Sequence, residues 1–281
     1  MTPEGLPAAQ WQSGSGDLWA QRWRETDAAL EALSPHLLAA VAERALNGPF
    51  AAFEVGCGPG STTIDIAEAF PRAAITACDI SPALAAIAKE RLRGLGNVRV
   101  LAGDAEELAA DAGPSDLIFS RHGLMFFDDP RRAFRALRNA ANAGGSLIFS
   151  CFRDWRSNTW ASTLADAAAD RLLPEPGREP SGFAFADQDY VRDILDSSGW
   201  SDAQAHALDF NYVAGRGERA VDDALSFLSE LGPAGRVLQA MPEERRAGAL
   251  ERMRGVIEQH LEGDAVVFAA AAWIWRAKAE P

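Results

Sequence analysis

The chain has 281 residues, 48% hydrophobic and 24% charged, the composition of an ordinary globular protein long enough to bury a substantial core. Its 27 basic and 40 acidic side chains leave a net charge of −13, a field that repels nucleic acid and anionic membrane surfaces and argues against polyanionic partners. Cys57, Cys78 and Cys151 form no C-x-x-C pair and have no histidine pair nearby, so they read as small buried residues of a reducing cytoplasm, with no metal bound.

The N-terminus, Met1-Thr2-Pro3-Glu4-Gly5, lacks the basic and apolar regions of a signal peptide, and residues 1–10 read as disordered. From Asp17 to Leu46 the pattern is helical, with Ser34-Pro35 starting a second helix and Asn47-Gly48-Pro49 stopping it. Trp11, Trp19 and Trp23 make an aromatic-rich opening. Either they anchor this helix to the body of the fold, or one of them closes over a ligand together with Arg22 or Arg24.

The chain is organised around the next stretch. An apolar run from Phe50 to Val55 reads as a buried strand, and Gly56-Cys57-Gly58-Pro59-Gly60 follows as a turn that needs backbone freedom. Ser61 to Phe70 then carries helix signals, with Ile64, Ala67 and Phe70 on one face. Strand, glycine turn and helix together bring backbone N–H groups and a helix N-terminus against a nucleotide-like ligand. A tight turn without a ligand is the competing reading. A second strand, Ala74 to Cys78, ends in Asp79, nineteen residues past Gly60, about where βαβ nucleotide folds hold an acid for ribose hydroxyls.

The alternation continues. Ser81-Pro82 starts a helix with Leu84, Ile87, Ala88 and Leu92 inward, ending at Gly94. Val98 to Ala102 is a third strand, followed by Gly103-Asp104-Ala105-Glu106. Asp116 to Ser120 is a fourth, leading into Arg121-His122-Gly123. Asp129-Pro130 starts a helix with Phe134, Leu137 and Ala141 inward and Gly144-Gly145 as its stop, before a fifth strand from Ser146 to Cys151. Strands alternating with helices of this length predict a parallel sheet with right-handed crossovers.

Beyond Cys151 the rhythm breaks. Residues 153–186 hold Trp155, Asn158, Trp160 and a proline-rich loop, which reads as an insertion forming a lid or substrate wall. Asp187 caps a helix running to Gly199, Ala203 to Val213 alternates like a strand, and residues 218–262 are helical with turns at Gly232-Pro233 and Met241-Pro242. The apolar run from Ala265 to Trp275, eleven residues, is too short to cross a bilayer and suits a final buried strand.

With these motifs in order, the chain resembles the class I S-adenosylmethionine-dependent methyltransferases over roughly residues 49–152. Glu54-Val55-Gly56-Cys57-Gly58-Pro59-Gly60 matches their E/D-x-G-x-G-x-G motif, and Asp79 their acid after the second strand. Gly103-Asp104-Ala105 matches the motif after the third strand, Asp116 to Ser120 the fourth strand, and Ala143-Gly144-Gly145-Ser146-Leu147 their P-G-G-x-L, with Ala143 in place of proline. The resemblance implies a Rossmann-like, doubly wound α/β fold: a seven-stranded, mostly parallel sheet in the order 3-2-1-4-5-7-6 with the last strand antiparallel. Helices cover both faces, and N-terminal helices and helical insertions are added. The expected division is an N-terminal helical lid (1–48), a cofactor-binding core (49–152) and a C-terminal half (153–281) with substrate-side insertions at 153–186 and 218–262.

The resemblance also implies roles. S-adenosylmethionine would be the cofactor and S-adenosylhomocysteine its product. Asp79 would bind both ribose hydroxyls, Ile80 would pack on the adenine, Asp104 would accept from the adenine amino group, and Ala105 would offer its N–H. Glu54, Gly56, Cys57, Gly58 and Ser120 would line the methionine end. Apart from the resemblance, Trp19 and Arg24 are candidates to close over the cofactor, and Arg121 either binds the methionine carboxylate or a substrate anion or sits on the surface. Capping of the following helix is the competing reading of Asp104. His122 either lines the pocket or, should the nucleophile need to lose a proton, acts as its general base, with lining the preferred reading; His36, His206 and His260 are given no role. The expected partner is a small-molecule methyl acceptor, with no nucleic acid, metal or membrane, on a monomer or homodimer. A non-catalytic cofactor-binding protein is the alternative. A nicotinamide oxidoreductase fits less well, because its turn expects G-x-G-x-x-G.

Overall fold

The computed structural model describes residues 7–44 and 48–280. The chain opens on short helices, α1 (Ala8–Trp11), α2 (Gly14–Gln21), α3 (Trp23–Ala29) and α4 (Ser34–Ala42). Residues 8–10, expected to be disordered, are already helical, because the buried Trp11 ring packs against Trp19 and Phe126 at centroid distances of 5.4 and 4.8 Å; the part of that expectation on residues 1–6 lies outside the described residues. The continuous helical pattern from Asp17 breaks at Arg22 and again at Leu30. Long-range contacts account for the first break: Arg22 Nε donates to Glu230 Oε2 at 2.9 Å, and the Arg91 guanidinium sits over the Trp23 ring at 4.4 Å. Pro35 restarts the helix in its first turn. The expected stop at Asn47 falls on residues 45–47, outside the described part.

The core alternates as the pattern predicts: β1 (Phe50–Val55), α5 (Ser61–Ala69), β2 (Ala73–Asp79), α6 (Pro82–Arg91), β3 (Val98–Ala102), α7 (Ala105–Ala112), β4 (Ser115–Arg121), α8 (Pro130–Asn139) and β5 (Ala141–Phe152). After it come α9 (Thr159–Ala169), α10 (Gln188–Ser197), β6 (Trp200–Arg216), α11 (Ala220–Glu230), α12 (Gly232–Gln239), α13 (Glu243–Gln259), the two-residue β7 (Leu261–Glu262) and β8 (Ala265–Ala279).

These strands form one sheet in the order β3-β2-β1-β4-β5-β8-β6, with β7 pairing on β8. Neighbours from β3 to β5 are parallel, and β8 runs antiparallel between β5 and β6. This is the order the resemblance implies, with the short β7 as an addition. The sheet grows from β1 to β3 in one direction and from β4 to β5 in the other. Right-handed crossovers then put α5 and α6 on one face and α7 and α8 on the opposite one. Between β1 and β4 the direction reverses, and a crevice opens beyond the carboxyl ends of both strands. The centre of the sheet is apolar on both faces: Phe53, Phe119, Phe149 and Trp275 are fully buried, the last two stacked at 6.2 Å.

Three local expectations are corrected. On α5 the buried residues are Thr62, Thr63, Ile66 and Ala67, while Ile64 and Phe70 are half-buried, because Gly60 (φ 89°) sets the helix phase and Thr63 bonds Glu54. α8 stops at Asn139. Ala141 already pairs with Ser115 because Asn142 Nδ2 donates to Asp116 Oδ1 at 2.7 Å and Ser115 N–H to the Ala140 carbonyl at 2.8 Å; the strand shifts register near Gly144 (φ 76°) before pairing again from Ser146. Strands β6 and β8 each run several residues beyond the expected spans, since they pair along nearly their whole length and satisfy each other's backbone groups.

Candidate active site

A cavity of about 240 Å³ occupies the crevice beyond β1 and β4. Its walls are the residues that immediately follow the strand ends: the glycine turn after β1, Asp79 and Ile80 after β2, Gly103 to Glu106 after β3, Arg121 to Gly123 after β4, and Phe152 at the end of β5. The turn is built for close approach. Gly56 and Gly58 have φ of 66° and 55°, a region that disfavours side-chained residues, and a Cβ on Gly58 would meet nothing within 4 Å. Gly123 backs it from β4: a Cβ there would stand 2.8 Å from the Val55 carbonyl.

Asp79 is buried at 6% exposure and ties this turn to the next helix. Its Oδ2 accepts from Gly58 N–H and its Oδ1 from Ser81 N–H, both at 2.8 Å. Burial pushes its carboxyl up to about 6, and these two bonds hold it from rising further. Glu54 is buried with Thr63 Oγ1 donating to its Oε2, and burial pushes it up to about 7, opposed by the Thr63 bond and the Arg121 charge. Asp104 Oδ1 accepts from Glu106 N–H at 2.8 Å, so it does cap α7, at the second residue of that helix. It also lines the cavity.

Most of the anticipated site residues converge here. Glu54, Gly56, Cys57, Gly58, Asp79, Ile80, Asp104, Ala105, Trp19, Arg121 and His122 all line the cavity. Two do not. Ser120 is fully buried behind the wall, donating to the Val55 carbonyl at 2.7 Å and accepting from Gly123 N–H at 3.2 Å, so it holds β1 to the loop after β4. Arg24 is exposed, its guanidinium 4.3 Å above the Trp23 ring. Arg121 lines the cavity but spends its charge on Asp27 Oδ1, 3.0 Å away, and it also donates to Ser34 Oγ. His122 has φ 58°, held by its N–H to the Ser150 carbonyl and by Nδ1 at 2.8 Å from Ser150 Oγ, while Nε2 is buried without a partner. Burial, aided by the Arg121 charge, pushes its imidazole down to about 3, which works against proton abstraction near neutral pH.

The far end of the cavity comes from outside the core. Trp160 stacks on Tyr212 at 4.5 Å and 5°, Phe152 lies 5.3 Å from Trp160 and 4.1 Å from His122, and Phe183, Phe227, Leu228 and Leu231 complete an apolar wall. Gly232 (φ 80°) permits this packing, since a Cβ there would stand 3.1 Å from Trp160 Cζ3. One helical turn on, Arg236 also lines the cavity. Sequence reasoning missed Arg236, Tyr212, Thr63 and Asp27. For Arg236 a signal was present: it is the one charged residue between Leu231 and Met241.

This end-to-end arrangement fits the nucleoside that the resemblance implies. The open space over Gly58 admits a ligand against bare backbone, and the buried Asp79 carboxylate retains acceptor capacity for hydroxyl donors. The carboxylates of Glu54 and Asp79 suit a ligand carrying ammonium and sulfonium charge. Among the described residues no group of three or more His, Cys, Asp and Glu side chains converges as a metal site, and no helix is long and apolar enough to cross a membrane.

Comparison with known proteins agrees with this geometry. A family profile described as "Methyltransferase domain" matches residues 52–145. Malonyl-[acyl-carrier protein] O-methyltransferase of Hahella chejuensis is 32% identical over 209 residues, covering 74% of this chain and 68% of that protein. The protein of the same name from Anoxybacillus flavithermus is 33% identical over 139 residues, 50% of this chain and 53% of its own length, so the match spans about half of that relative. Trans-aconitate 2-methyltransferase of Klebsiella pneumoniae is 32% identical over 135 residues, 45% of this chain and 48% of that one. Among solved structures, the YcgJ protein of Bacillus subtilis superposes with a TM-score of 0.56 at 15% identity, covering 88% of this chain and 99% of that one. At that identity the likeness is one of fold.

Proposed function

The chain belongs to the class I S-adenosylmethionine-dependent methyltransferases, and on that premise we propose that it methylates a small acceptor held in the aromatic end of its cavity. The observation that carries this reading is the continuity of the space. One cavity is lined at one end by the glycine turn, Asp79 and Asp104, and at the other by Phe152, Trp160, Phe183 and Tyr212. An oxygen nucleophile is supported by the names of the O-methyltransferase relatives.

When bound, S-adenosylmethionine would supply a methyl group on a cationic sulfur, open to in-line displacement by an acceptor. The residues of this chain position and enclose. Asp79 receives the ribose hydroxyls, Asp104 and Ala105 address the adenine, and Glu54 with Gly56 and Gly58 faces the amino-acid end. Trp11, Trp19 and Leu30 of the N-terminal helices help to roof the cavity and exclude water. Cytoplasmic placement belongs to the same reading and is supported by three buried, unpaired cysteines.

Thermal unfolding with S-adenosylhomocysteine, S-adenosylmethionine or NADH tests it. A ligand at a hundred times its dissociation constant stabilises by about 2.7 kcal/mol, a rise of several degrees in a chain of this length. The rise is expected with both sulfur nucleosides, absent with NADH, and lost in Asp79→Ala. A rise with NADH alone, or none with any of the three, sinks the proposal.

A further inference from the structure

The cavity is divided by charge. Its carboxylates, Asp27, Glu54, Asp79, Asp104, Glu106 and Asp128, all come from the first half of the chain. Three guanidiniums line it, and two are neutralised: Arg121 pairs with Asp27 at 3.0 Å and Arg132 with Glu106 at 2.6 Å. Arg236 is the third. It forms no ion pair among the described residues, and its Nε is buried with no hydrogen-bond partner. From residue 152 onward the lining contains no carboxylate. An unpaired guanidinium beside an aromatic wall is costly to keep desolvated unless an anion joins it.

Resting on the methyltransferase reading above, we propose that Arg236 anchors the acceptor, and that the acceptor is a small apolar carboxylic acid methylated on its carboxylate. One guanidinium balances one negative charge and offers a carboxylate a bidentate fork, while Phe183, Phe227 and Leu228 cover an apolar body. The chemistry of the same end agrees. The groups there that could take a proton are His122 and Tyr212; burial pushes the His122 imidazole down to about 3 and the Tyr212 hydroxyl upward. Neither of these two serves as an effective base for an acceptor held at that end, whereas a carboxylate arrives as the nucleophile and needs none. Its methylation forms one C–O bond and breaks one S–C bond. Carboxylate and sulfonium become a neutral ester and a neutral thioether, and no proton is released. Burial also lowers the pKa of Arg236 itself, consistent with a cation awaiting its counter-ion.

The test is calorimetric titration of the full chain, saturated with S-adenosylhomocysteine, with matched acids and amides: phenylacetate against phenylacetamide, hexanoate against hexanamide. At least one acid is expected to bind tenfold or more tightly than its amide, the scale of a charge-assisted contact. Arg236→Gln abolishes that preference, Arg236→Lys keeps part of it, and S-adenosylhomocysteine affinity stays within twofold in both. Should either variant misfold, phenylglyoxal labelling of Arg236 in the unaltered protein reads the same contact, slowed by the acid and not by the amide. No acid preference in any pair, or a preference that survives Arg236→Gln, overturns the proposal. If S-adenosylhomocysteine itself gives no binding heat and the chain titrated without it still prefers acids, the anion site stands and the cofactor reading fails.

Discussion

Asp27 Oδ1 accepts from Arg121 Nη2 at 3.0 Å while its Oδ2 accepts from Arg91 Nη1 at 2.9 Å and from Ser61 Oγ. One carboxylate on α3 therefore joins the end of β4, the helix after β2 and the first residue after the glycine turn. Arg91 extends the tie to the Pro59 carbonyl at 2.8 Å. A second tie, Arg22 to Glu230 and Ser226, fastens the same N-terminal segment to α11. The roof of the cavity is thus latched to both of its halves.

Asp27→Ala should loosen that roof. It leaves the Arg121 side chain, 9% exposed, without its carboxylate, an unpaired buried cation costing roughly 1–3 kcal/mol. The melting temperature is expected to fall by several degrees, with hydrogen exchange accelerating over residues 8–29 and S-adenosylhomocysteine dissociating faster. Unchanged exchange in that segment would show that the latch bears no load.

Gly58→Ala and Gly263→Ala form a matched pair. Both glycines have left-handed φ, 55° and 62°, and neither Cβ would meet an atom within 4 Å, so each substitution should cost about 1–2 kcal/mol of stability. Only the Gly58 methyl enters the cavity. Affinity for S-adenosylhomocysteine should therefore drop at least about tenfold in Gly58→Ala and hold in Gly263→Ala. Equal affinities would place the ligand elsewhere.

The contrast between Asp79 and Asp27 explains what the sequence alone discloses. The position of Asp79 at the cavity is legible because its surroundings are set locally: a strand end, a glycine turn at a fixed offset and a helix start lie within thirty residues, and the same short-range logic places Asp104 and the order of the parallel strands. Asp27 resembles any acid on an exposed helix until residues 61, 91 and 121 fold against it. Arg236 is a lone charge in an apolar stretch, a signal that is easily passed over because its meaning depends on Trp160 and Tyr212, 76 and 24 residues away. The bulge at Gly144 was read as a helix stop because glycine serves both and only the Asn142–Asp116 bond decides between them.

His122 should stay neutral across the working range. With its imidazole pushed down to about 3, its ring carbon and nitrogen resonances are expected to be flat from pH 8 to pH 5. His122→Ala should lower turnover by less than tenfold, below the roughly hundredfold or greater loss that follows removal of a general base. A titration near pH 6.5, or a larger loss of turnover, would restore the base role.

Cofactor affinity and the stability of the free protein should respond to pH with opposite signs. Glu54 and Asp79 sit at about 7 and about 6 in the folded protein, above the roughly 4 of an unfolded carboxyl. Between pH 7 and 4 the folded state thus holds protons that the unfolded state has lost. On this account acidification stabilises the free chain through these two groups, and the gain disappears as pH rises through 6 to 7. In the proposed binding mode the effect runs the other way, because ribose hydroxyls and an ammonium group would select the ionised carboxylates. S-adenosylhomocysteine affinity should be flat from pH 8 to 7, then weaken by about tenfold per pH unit for each group titrated. Proton release should be visible as a dependence of calorimetric heat on the buffer's ionisation enthalpy. Asp79→Asn should remove the limb below pH 6 from both curves, taken as differences from the unaltered chain. Affinity that rises on acidification would mean that these carboxylates do not face the bound nucleoside as ions.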